Sequence, residues 1–305
     1  AQLNITENCI DRHLATRGDK TAILFEPNDP KDPAEHITYN QLHERVNRFA
    51  NVLKSQGIKK GDRVCIYLPM IPELAVSVLA CARIGAIHSV VFAGFSATAL
   101  STRINDSDCK MVVTSDGSYR GAKTIDLKGI VDEALESCPG INTVLVAKRI
   151  HSDITMKEGR DKWLQPLLDE ASTVCKAEVM NAEDPLFILY TSGSTGQPKG
   201  IIHSHVCRRN WAYDLAIGLR YHEGARTLCN LGLYSNISWV AMLSTFVCGG
   251  TIVIQDKFDV VACLRLIQDE RITHSAMVPV QFQRIVAHAD FAHYNVSTLQ
   301  YVMSC

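Results

Sequence analysis

The sequence lacks an excess of charge of either sign, because 31 Lys and Arg residues nearly balance 32 Asp and Glu residues. Basic and acidic residues are interspersed, so the charge pattern does not favour nucleic acid or a membrane surface as a partner. No stretch approaches the roughly 20 consecutive apolar residues of a membrane span. Residues 1–4 are unlike a signal peptide. We therefore expect a cytoplasmic protein, without a membrane span, that acts on small molecules.

The sequence also lacks paired cysteines. It has eleven cysteines, but no two of them have the C-x-x-C spacing that is typical of zinc sites and redox motifs. Most of them lie among apolar neighbours. We therefore interpret them as small core residues in a reducing compartment and predict neither metal ligands nor a disulfide framework.

Internal repeats and low-complexity segments are absent, and 47% of the 305 residues are hydrophobic, which is enough for a sizeable core. Apolar strand patterns at residues 22–26, 63–68, 87–92, 110–114 and 143–147 alternate with helix patterns at residues 7–15, 72–83, 96–104 and 127–136. The order predicts an α/β fold of parallel sheets flanked by helices. We expect one large body, in two packed subdomains.

One helix has clear start and stop signals. Thr38 and Gln41 form a capping box, which predicts a helix beginning there. The helix would have one apolar face and would end at Gly57. The residues of that face are Leu42, Val46, Phe49, Ala50 and Leu53.

A Gly-rich loop at residues 191–200 is the strongest functional signal. It follows an apolar strand at residues 186–190, and a further strand resumes at Gly200. Its glycines let main-chain N–H groups converge on one point, and its hydroxyls and Lys199 suit a polyphosphate. The spacing differs from a Walker loop, because two residues separate Gly196 from Lys199. A flexible Ser/Gly linker is the alternative, but linkers are seldom embedded between two apolar strands.

This loop resembles the phosphate-loop signature of the adenylate-forming superfamily, Thr/Ser-Ser-Gly-Ser/Thr-Thr-Gly-x-Pro-Lys-Gly, at every fixed position. The superfamily includes acyl-CoA synthetases, luciferases and adenylation domains of peptide synthetases. The resemblance implies that the loop holds the β- and γ-phosphates of ATP while a carboxylate attacks the α-phosphorus. The implied ATP ligands are Thr191, Ser192, Gly193, Ser194, Thr195, Gly196 and Lys199.

Residues 3–200 closely resemble the acetyl-CoA synthetase branch, which would make the chain part of an acid–thiol ligase. The matching runs are residues 11–14, 37–39, 49–54, 68–73, 80–86 and 182–190. A member with another acceptor, such as a luciferase, is not expected to share them. The resemblance implies ATP, Mg²⁺ and coenzyme A as cosubstrates or cofactors, and short-chain acyl-CoA synthesis as the activity.

Two segments of this half are similar to the CoA-contacting segments of that branch. The implied CoA ligands are Phe92, Ala93, Gly94, Arg120, Gly121, Ala122 and Lys123. We expect them at the ends of neighbouring parallel strands, where ligands bind in such sheets. Lys123 replaces the second Arg of the usual Arg-x-Gly-Arg, which keeps the charge but loses bidentate phosphate geometry and weakens CoA binding. Two solvated surface cations are the alternative interpretation.

Beyond Lys199 the resemblance to the branch falls away. The segment Tyr234, Ser235 and Asn236 occupies the place of a motif that lines the carboxylate pocket, but it looks more like other acyl- or aryl-CoA ligases. Tyr234 and Trp239 could equally be core aromatics. His203 and His205, placed on one strand, could share a metal, but we favour a structural role.

The chain resembles the N-terminal portion of an enzyme about twice as long. All 305 residues would belong to the AMP-binding domain, without the mobile C-terminal domain and its catalytic lysine. The Mg²⁺ ligands would also lie beyond residue 305, and Lys199 is the one catalytic residue we assign. The fragment alone is expected to be inactive. A medium-chain or aryl acyl-CoA ligase, a noncatalytic nucleotide-binding fragment and a recombined sequence are the alternatives.

Overall fold

The computed structural model describes residues 1–28, 32–120, 123–191 and 198–304, with the backbone but not the side chain of Arg120. The strands are β1 (Thr21–Glu26), β2 (Glu35–Thr38), β3 (Arg63–Tyr67), β4 (Ile87–Val90), β5 (Cys109–Ser115), β6 (Ser118–Arg120), β7 (Lys123–Ile125), β8 (Thr143–Ala147), β9 (Asp161–Trp163), β10 (Pro185–Thr191), β11 (Lys199–Ser204), β12 (Arg226–Cys229), β13 (Thr251–Gln255), β14 (His274–Met277) and β15 (Tyr301–Ser304). The helices are α1 (Ile5–Cys9), α2 (Leu14–Arg17), α3 (Tyr39–Ser55), α4 (Pro72–Arg83), α5 (Ala97–Asp106), α6 (Leu127–Leu135), α7 (Leu164–Glu170), α8 (His205–Gly218), α9 (Asn236–Val247), α10 (Val260–Asp269) and α11 (Pro279–Val286). Short 3₁₀ helices cover Asp11–His13 and Phe291–His293.

The chain divides into two compact units. The first unit contains Ala1–Thr6, His43–Pro69 and Glu73–Cys207, and its sheet has the order β11-β10-β4-β3-β5-β8-β9. Its strands are parallel except for the antiparallel pair β10 and β11. Apolar residues of β5 and β8 pack with apolar residues of α5 and α6 in one core cluster. Such packing buries the face of a parallel sheet under helices.

The second unit contains Glu7–Leu42, Met70–Pro72 and Arg208–Cys305. Its sheet has the order β15-β14-β12-β13-β1-β2 and is parallel except for the hairpin of β1 and β2. Leu24, Leu228 and Val253 from three neighbouring strands pack with apolar residues of α10. The predicted α/β fold with parallel sheets flanked by helices is therefore confirmed.

The predicted capping box is present at the start of α3. The backbone N–H of Thr38 donates to Oε1 of Gln41 at 2.8 Å, and the N–H of Gln41 donates to Oγ1 of Thr38 at 3.2 Å. Each residue of the predicted apolar face is at most 1% exposed. Gly57 follows the helix with a φ of +88°, a left-handed angle that favours glycine.

Three predictions of local structure were wrong. The helix expected at residues 7–15 is broken at the buried Ile10, whose φ of −128° and ψ of −67° are not helical. His205 begins α8 instead of ending the preceding strand. The strand expected at residues 87–92 ends at Val90, because the chain turns at residues 93 and 94.

The ten cysteines within the described ranges are free thiols, and all except Cys207 and Cys248 are buried. Burial raises the pKa of the Cys9 and Cys229 thiols to about 12, so neither is a thiolate near neutral pH. In the portion of the chain that the structure covers, no helix has both the length and the apolar character of a membrane span.

Candidate functional site

The predicted ligand segments of the first unit lie at one edge of its sheet. Strands β3, β4, β5 and β10 are parallel, so their carboxyl ends meet at this edge, where ligands usually bind in α/β sheets. Strand β4 leads to Phe92, β5 leads to Tyr119, and β10 ends at Thr191. Lys199 begins β11 at the same edge. One expectation was wrong: β4 and β5 are not neighbours, because β3 lies between them.

The Gly-rich loop connects two antiparallel strands. Thr191, the last residue of β10, pairs with Lys199, the first residue of β11, and Tyr190 pairs with Gly200. Thr191 and Lys199 are exposed, so the cation lies across from the hydroxyl at the base of the loop. The other predicted phosphate ligands, Ser192, Gly193, Ser194, Thr195 and Gly196, lie outside the described residues.

The segment predicted to contact CoA turns directly after β4. Phe92 is 38% exposed and Ala93 is buried. The Phe92 ring folds back over Gly94, where a β-carbon would lie 2.4 Å from it, so a larger residue at position 94 would displace the ring. The hydroxyl of Tyr67 donates to the carbonyl oxygen of Phe95 at 2.7 Å, which ties this turn to the end of β3.

The second predicted CoA segment is a two-stranded hairpin of β6 and β7. Arg120 and Lys123 face each other across it, and Lys123 is exposed. Gly121, Ala122 and the side chain of Arg120 lie outside the described residues. The backbone pairing thus places the Cα atoms of both cationic residues at the same end of the hairpin.

Sequence reasoning missed Asp116, which precedes this hairpin. Its buried carboxylate accepts hydrogen bonds from the backbone N–H groups of Arg149, Ile150 and Ser152 at 2.7, 3.1 and 3.2 Å, and from that of Gly117 at 2.9 Å. Four amide donors satisfy a carboxylate that would otherwise be costly to bury. Asp116 therefore anchors the loop after β8 to the end of β5.

Sequence reasoning also missed Arg103 of α5. Its guanidinium carbon lies 4.6 Å from the ring centroid of Phe95 and 5.4 Å from that of Tyr190. Asp106, one turn further along α5, accepts a hydrogen bond from the Tyr190 hydroxyl at 2.5 Å. A sequence signal existed, because Arg103 lies between the buried Leu100 and Ile104 on the apolar side of its helix.

The predicted carboxylate-pocket segment lies in the second unit, between β12 and α9. Tyr234 is 38% exposed, whereas Trp239 is buried and is a core aromatic. The Asn236 amide oxygen accepts a hydrogen bond from the buried Arg208 guanidinium at 2.5 Å. Ser235 is the residue before α9, and its N–H donates to the carbonyl oxygen of Gly232 at 2.9 Å.

The two histidines considered as a metal pair have separate structural contacts. Nδ1 of His205 accepts a hydrogen bond from the N–H of Ile5 at 3.2 Å, and burial lowers the pKa of His205 to about 4. The ring of His203 lies 4.8 Å from that of Phe187. Within the described ranges, no group of three or more His, Cys, Asp or Glu side chains could hold a metal ion.

Comparison with known proteins identifies the family to which the chain is related. The sequence profile of the AMP-binding enzyme family matches residues 10–305. The chain is 52% identical over 252 residues to acetyl-coenzyme A synthetase of Alkalilimnicola ehrlichii, a match covering 81% of this chain and 38% of that protein. It is 60% identical over 202 residues to acetyl-coenzyme A synthetase of Halorhodospira halophila, covering 66% of this chain and 31% of that protein.

A solved structure of acetoacetyl-CoA synthetase from Streptomyces lividans superposes with a TM-score of 0.89 at 25% identity. That match covers 100% of this chain and 47% of the other. The chain thus spans less than half the length of each of these three relatives. The profile match, the acetyl-CoA synthetase relatives and the shared fold show that the chain belongs to the AMP-binding enzyme family.

Proposed function

We propose that the chain is the N-terminal portion of an AMP-forming acyl-CoA synthetase that acts on a short-chain carboxylate. The full-length protein converts the carboxylate and Mg·ATP into an acyl-adenylate and pyrophosphate. The thiol of CoA then attacks the acyl carbon, and AMP leaves. All 305 residues belong to the AMP-binding domain in this proposal, and a mobile C-terminal domain lies outside them.

The observation that carries the proposal is the pairing of Thr191 with Lys199 at the carboxyl edge of the first unit's sheet. It presents an exposed hydroxyl and an exposed cation at the base of the Gly-rich loop. Strand β4, which leads to Phe92 and Gly94, runs beside β10. The segments proposed for ATP and for CoA therefore begin at adjacent strand ends.

Lys199 has the central role among the residues assigned to the first step. When the carboxylate attacks the α-phosphorus, negative charge grows on the departing pyrophosphate. A fixed ammonium beside the β- and γ-phosphates stabilises that charge more than it stabilises bound ATP, and this difference accelerates the step. The main-chain N–H groups and hydroxyls of residues 191–196 orient the phosphates. Mg²⁺ enters with ATP, with protein ligands proposed beyond residue 305.

The second step uses the turn after β4 and the hairpin of β6 and β7. We assign contact with the CoA chain to Phe92, Ala93 and Gly94. We assign the nucleotide phosphates of CoA to the hairpin end, where Arg120 and Lys123 pair across two residues. Lysine acts as a point charge and not as a fork, so Lys123→Arg should lower the KM for CoA.

Acetate is the favoured substrate because the two curated relatives described above are acetyl-CoA synthetases. The segment from Tyr234 to Asn236 favours a second candidate, a medium-chain or aryl acyl-CoA ligase. Tyr234 presents a partly exposed aromatic ring beside the start of α9, and an apolar acid could pack against it. A noncatalytic nucleotide-binding role would be indicated by ATP binding without carboxylate-dependent pyrophosphate release.

The Lys199→Ala variant of the full-length protein tests the phosphate-loop assignment. Removal of one transition-state cation should lower the rate of carboxylate-dependent ATP–pyrophosphate exchange about 100-fold to 1,000-fold. Because Lys199 is exposed, the melting temperature should stay unchanged. Lys176→Ala, which removes an exposed lysine of the same unit, is the matched control. Exchange at an unchanged rate in Lys199→Ala would remove Lys199 from the mechanism.

A further inference from the structure

Helix α5 joins the two proposed ligand segments of the first unit through one side chain. Arg103 is 8% exposed, and its guanidinium carbon lies over the rings of both Phe95 and Tyr190, at 4.6 and 5.4 Å from their centroids. Phe95 directly follows the turn proposed for CoA. Tyr190 directly precedes Thr191, where the loop proposed for ATP begins.

Each of the two aromatic residues also makes a second contact. The hydroxyl of Tyr190 donates to Asp106 at 2.5 Å, and the carbonyl oxygen of Phe95 accepts from the Tyr67 hydroxyl at 2.7 Å. Arg103 itself donates from Nη1 to the carbonyl oxygen of Ala99 at 2.6 Å, which orients its guanidinium. The Phe95 ring is 38% exposed and packs edge-on against the Phe92 ring, with the two centroids 5.5 Å apart. Hydrogen bonds therefore hold the Tyr190 hydroxyl, the Phe95 backbone and the Arg103 guanidinium.

A buried guanidinium against aromatic faces is a strong contact because little water competes for the cation. It also has geometric demands, since the cation must lie over each ring face at once. If one ring moved and the guanidinium followed it, the contact between the guanidinium and the other ring would change. The arrangement thus links the position of the turn after β4 to the position of Tyr190, the second-last residue of β10.

We propose that Arg103 is a positioning residue that sets the CoA segment and Thr191, the first residue of the proposed ATP loop, at a fixed separation through Phe95 and Tyr190. The inference rests on the proposed function and extends it, because it makes two substrate sites depend on one side chain that contacts neither substrate. Loss of the guanidinium should therefore weaken the use of ATP and of CoA together, whereas use of the carboxylate should not change.

The test uses Arg103→Met in the full-length protein, because methionine keeps an unbranched side chain but removes the cation. ATP–pyrophosphate exchange, which needs no CoA, gives the KM for ATP and for the carboxylate. Thioester formation gives the KM for CoA. We expect the KM values for ATP and CoA each to rise about fivefold, as the strength of a partly buried cation–π contact indicates. The KM for the carboxylate should stay within about twofold of that of the unaltered protein.

Two further variants separate positioning from a merely structural role. Arg103→Lys retains a cation. Its KM values for ATP and for CoA should therefore lie between those of Arg103→Met and those of the unaltered protein. Asn105→Ala is the matched control on α5, because the Asn105 amide donates to the carbonyl oxygen of Ser137 at 3.0 Å. It should leave all three KM values unchanged.

A fall in kcat and melting temperature with all KM values unchanged would show a structural role and overturn the proposal. A rise in the KM for only one of ATP and CoA would also overturn it. Should Arg103→Met fail to fold, Arg103→Lys decides by the same two KM values. If the unaltered protein gave no carboxylate-dependent exchange, the proposed function would fail and this inference with it. Normal exchange with unaffected Arg103 variants would overturn this inference alone.

Discussion

Two buried histidines of the first unit, His88 and His205, make its stability depend on pH. His88 lies on β4, with its ring stacked 5.2 Å from that of Phe187. Burial, with a smaller effect of His205, lowers the pKa of His88 to about 3. Burial also lowers the pKa of His205, to about 4. Both side chains are therefore neutral in the folded protein across the physiological range.

A pH dependence of stability follows from these two values. In the unfolded chain a histidine takes up a proton near pH 6.5, whereas folded His88 does so only near pH 3. The contribution of each neutral histidine to stability is fully present above about pH 6.5, and it is lost as the pH falls toward the pKa of the folded state. When the pH is lowered from about 6.5 to 5, the free energy of unfolding should fall by about 2 kcal/mol for each of the two histidines.

Replacement of His88 by glutamine should remove one such contribution. The free energy of unfolding of His88→Gln, measured with urea at pH 7 and pH 5, should fall by about 2 kcal/mol less than that of the unaltered chain. His151→Asn, which replaces an exposed histidine of the same unit, is the control. An identical loss of stability in His88→Gln and in the unaltered chain would show that His88 does not govern the acid response.

At the scale of elements, helix α3 shows how a local pattern determines a boundary. The reciprocal bonds of Thr38 and Gln41 satisfy backbone and side-chain groups within four residues, so the sequence alone reveals them. Strand β12 shows the opposite case. Arg226–Cys229 is short and gains its partners from β13 and β14 much later in the chain, so no local pattern predicted it.

The Thr38→Ala substitution tests the capping box. Loss of the hydroxyl leaves the N–H of Gln41 without its side-chain acceptor, and the free energy of unfolding should fall by about 1 kcal/mol. Thr38→Ser keeps the acceptor and should recover most of the loss. Urea unfolding of the three chains measures the difference. Equal destabilisation by serine and alanine would show that the hydroxyl does not cap the helix.

Elements of the candidate site divide in the same way. The Gly-rich loop could be singled out from the sequence, because its glycines, hydroxyls and Lys199 are contiguous, and its role as a phosphate site stays a prediction. The contact of Arg103 with Tyr190 could not be singled out, because the two residues are 87 positions apart and only the sheet brings them together. Asp116 was missed for the same reason, since three of its four amide donors come from the loop after β8.

At the scale of the whole molecule, the alternation of strands and helices was enough to predict parallel sheets flanked by helices. The division into two units includes the segment Met70–Pro72, which belongs to the second unit although its flanking residues belong to the first. The assignment of this short segment to the second unit depends on tertiary contacts, so no pattern in the sequence indicates it. The match to 47% of the acetoacetyl-CoA synthetase structure fits the proposal that the 305 residues belong to a longer enzyme.

The most direct test of that proposal is carboxylate-dependent ATP–pyrophosphate exchange by the full-length protein with acetate, propionate, butyrate, octanoate and benzoate. We expect exchange to be fastest with acetate or propionate. A preference for octanoate or benzoate would retain the enzyme class but assign substrate choice to the segment from Tyr234 to Asn236. Binding of ATP without exchange for any of the five acids would overturn the proposed function and show a noncatalytic nucleotide-binding protein.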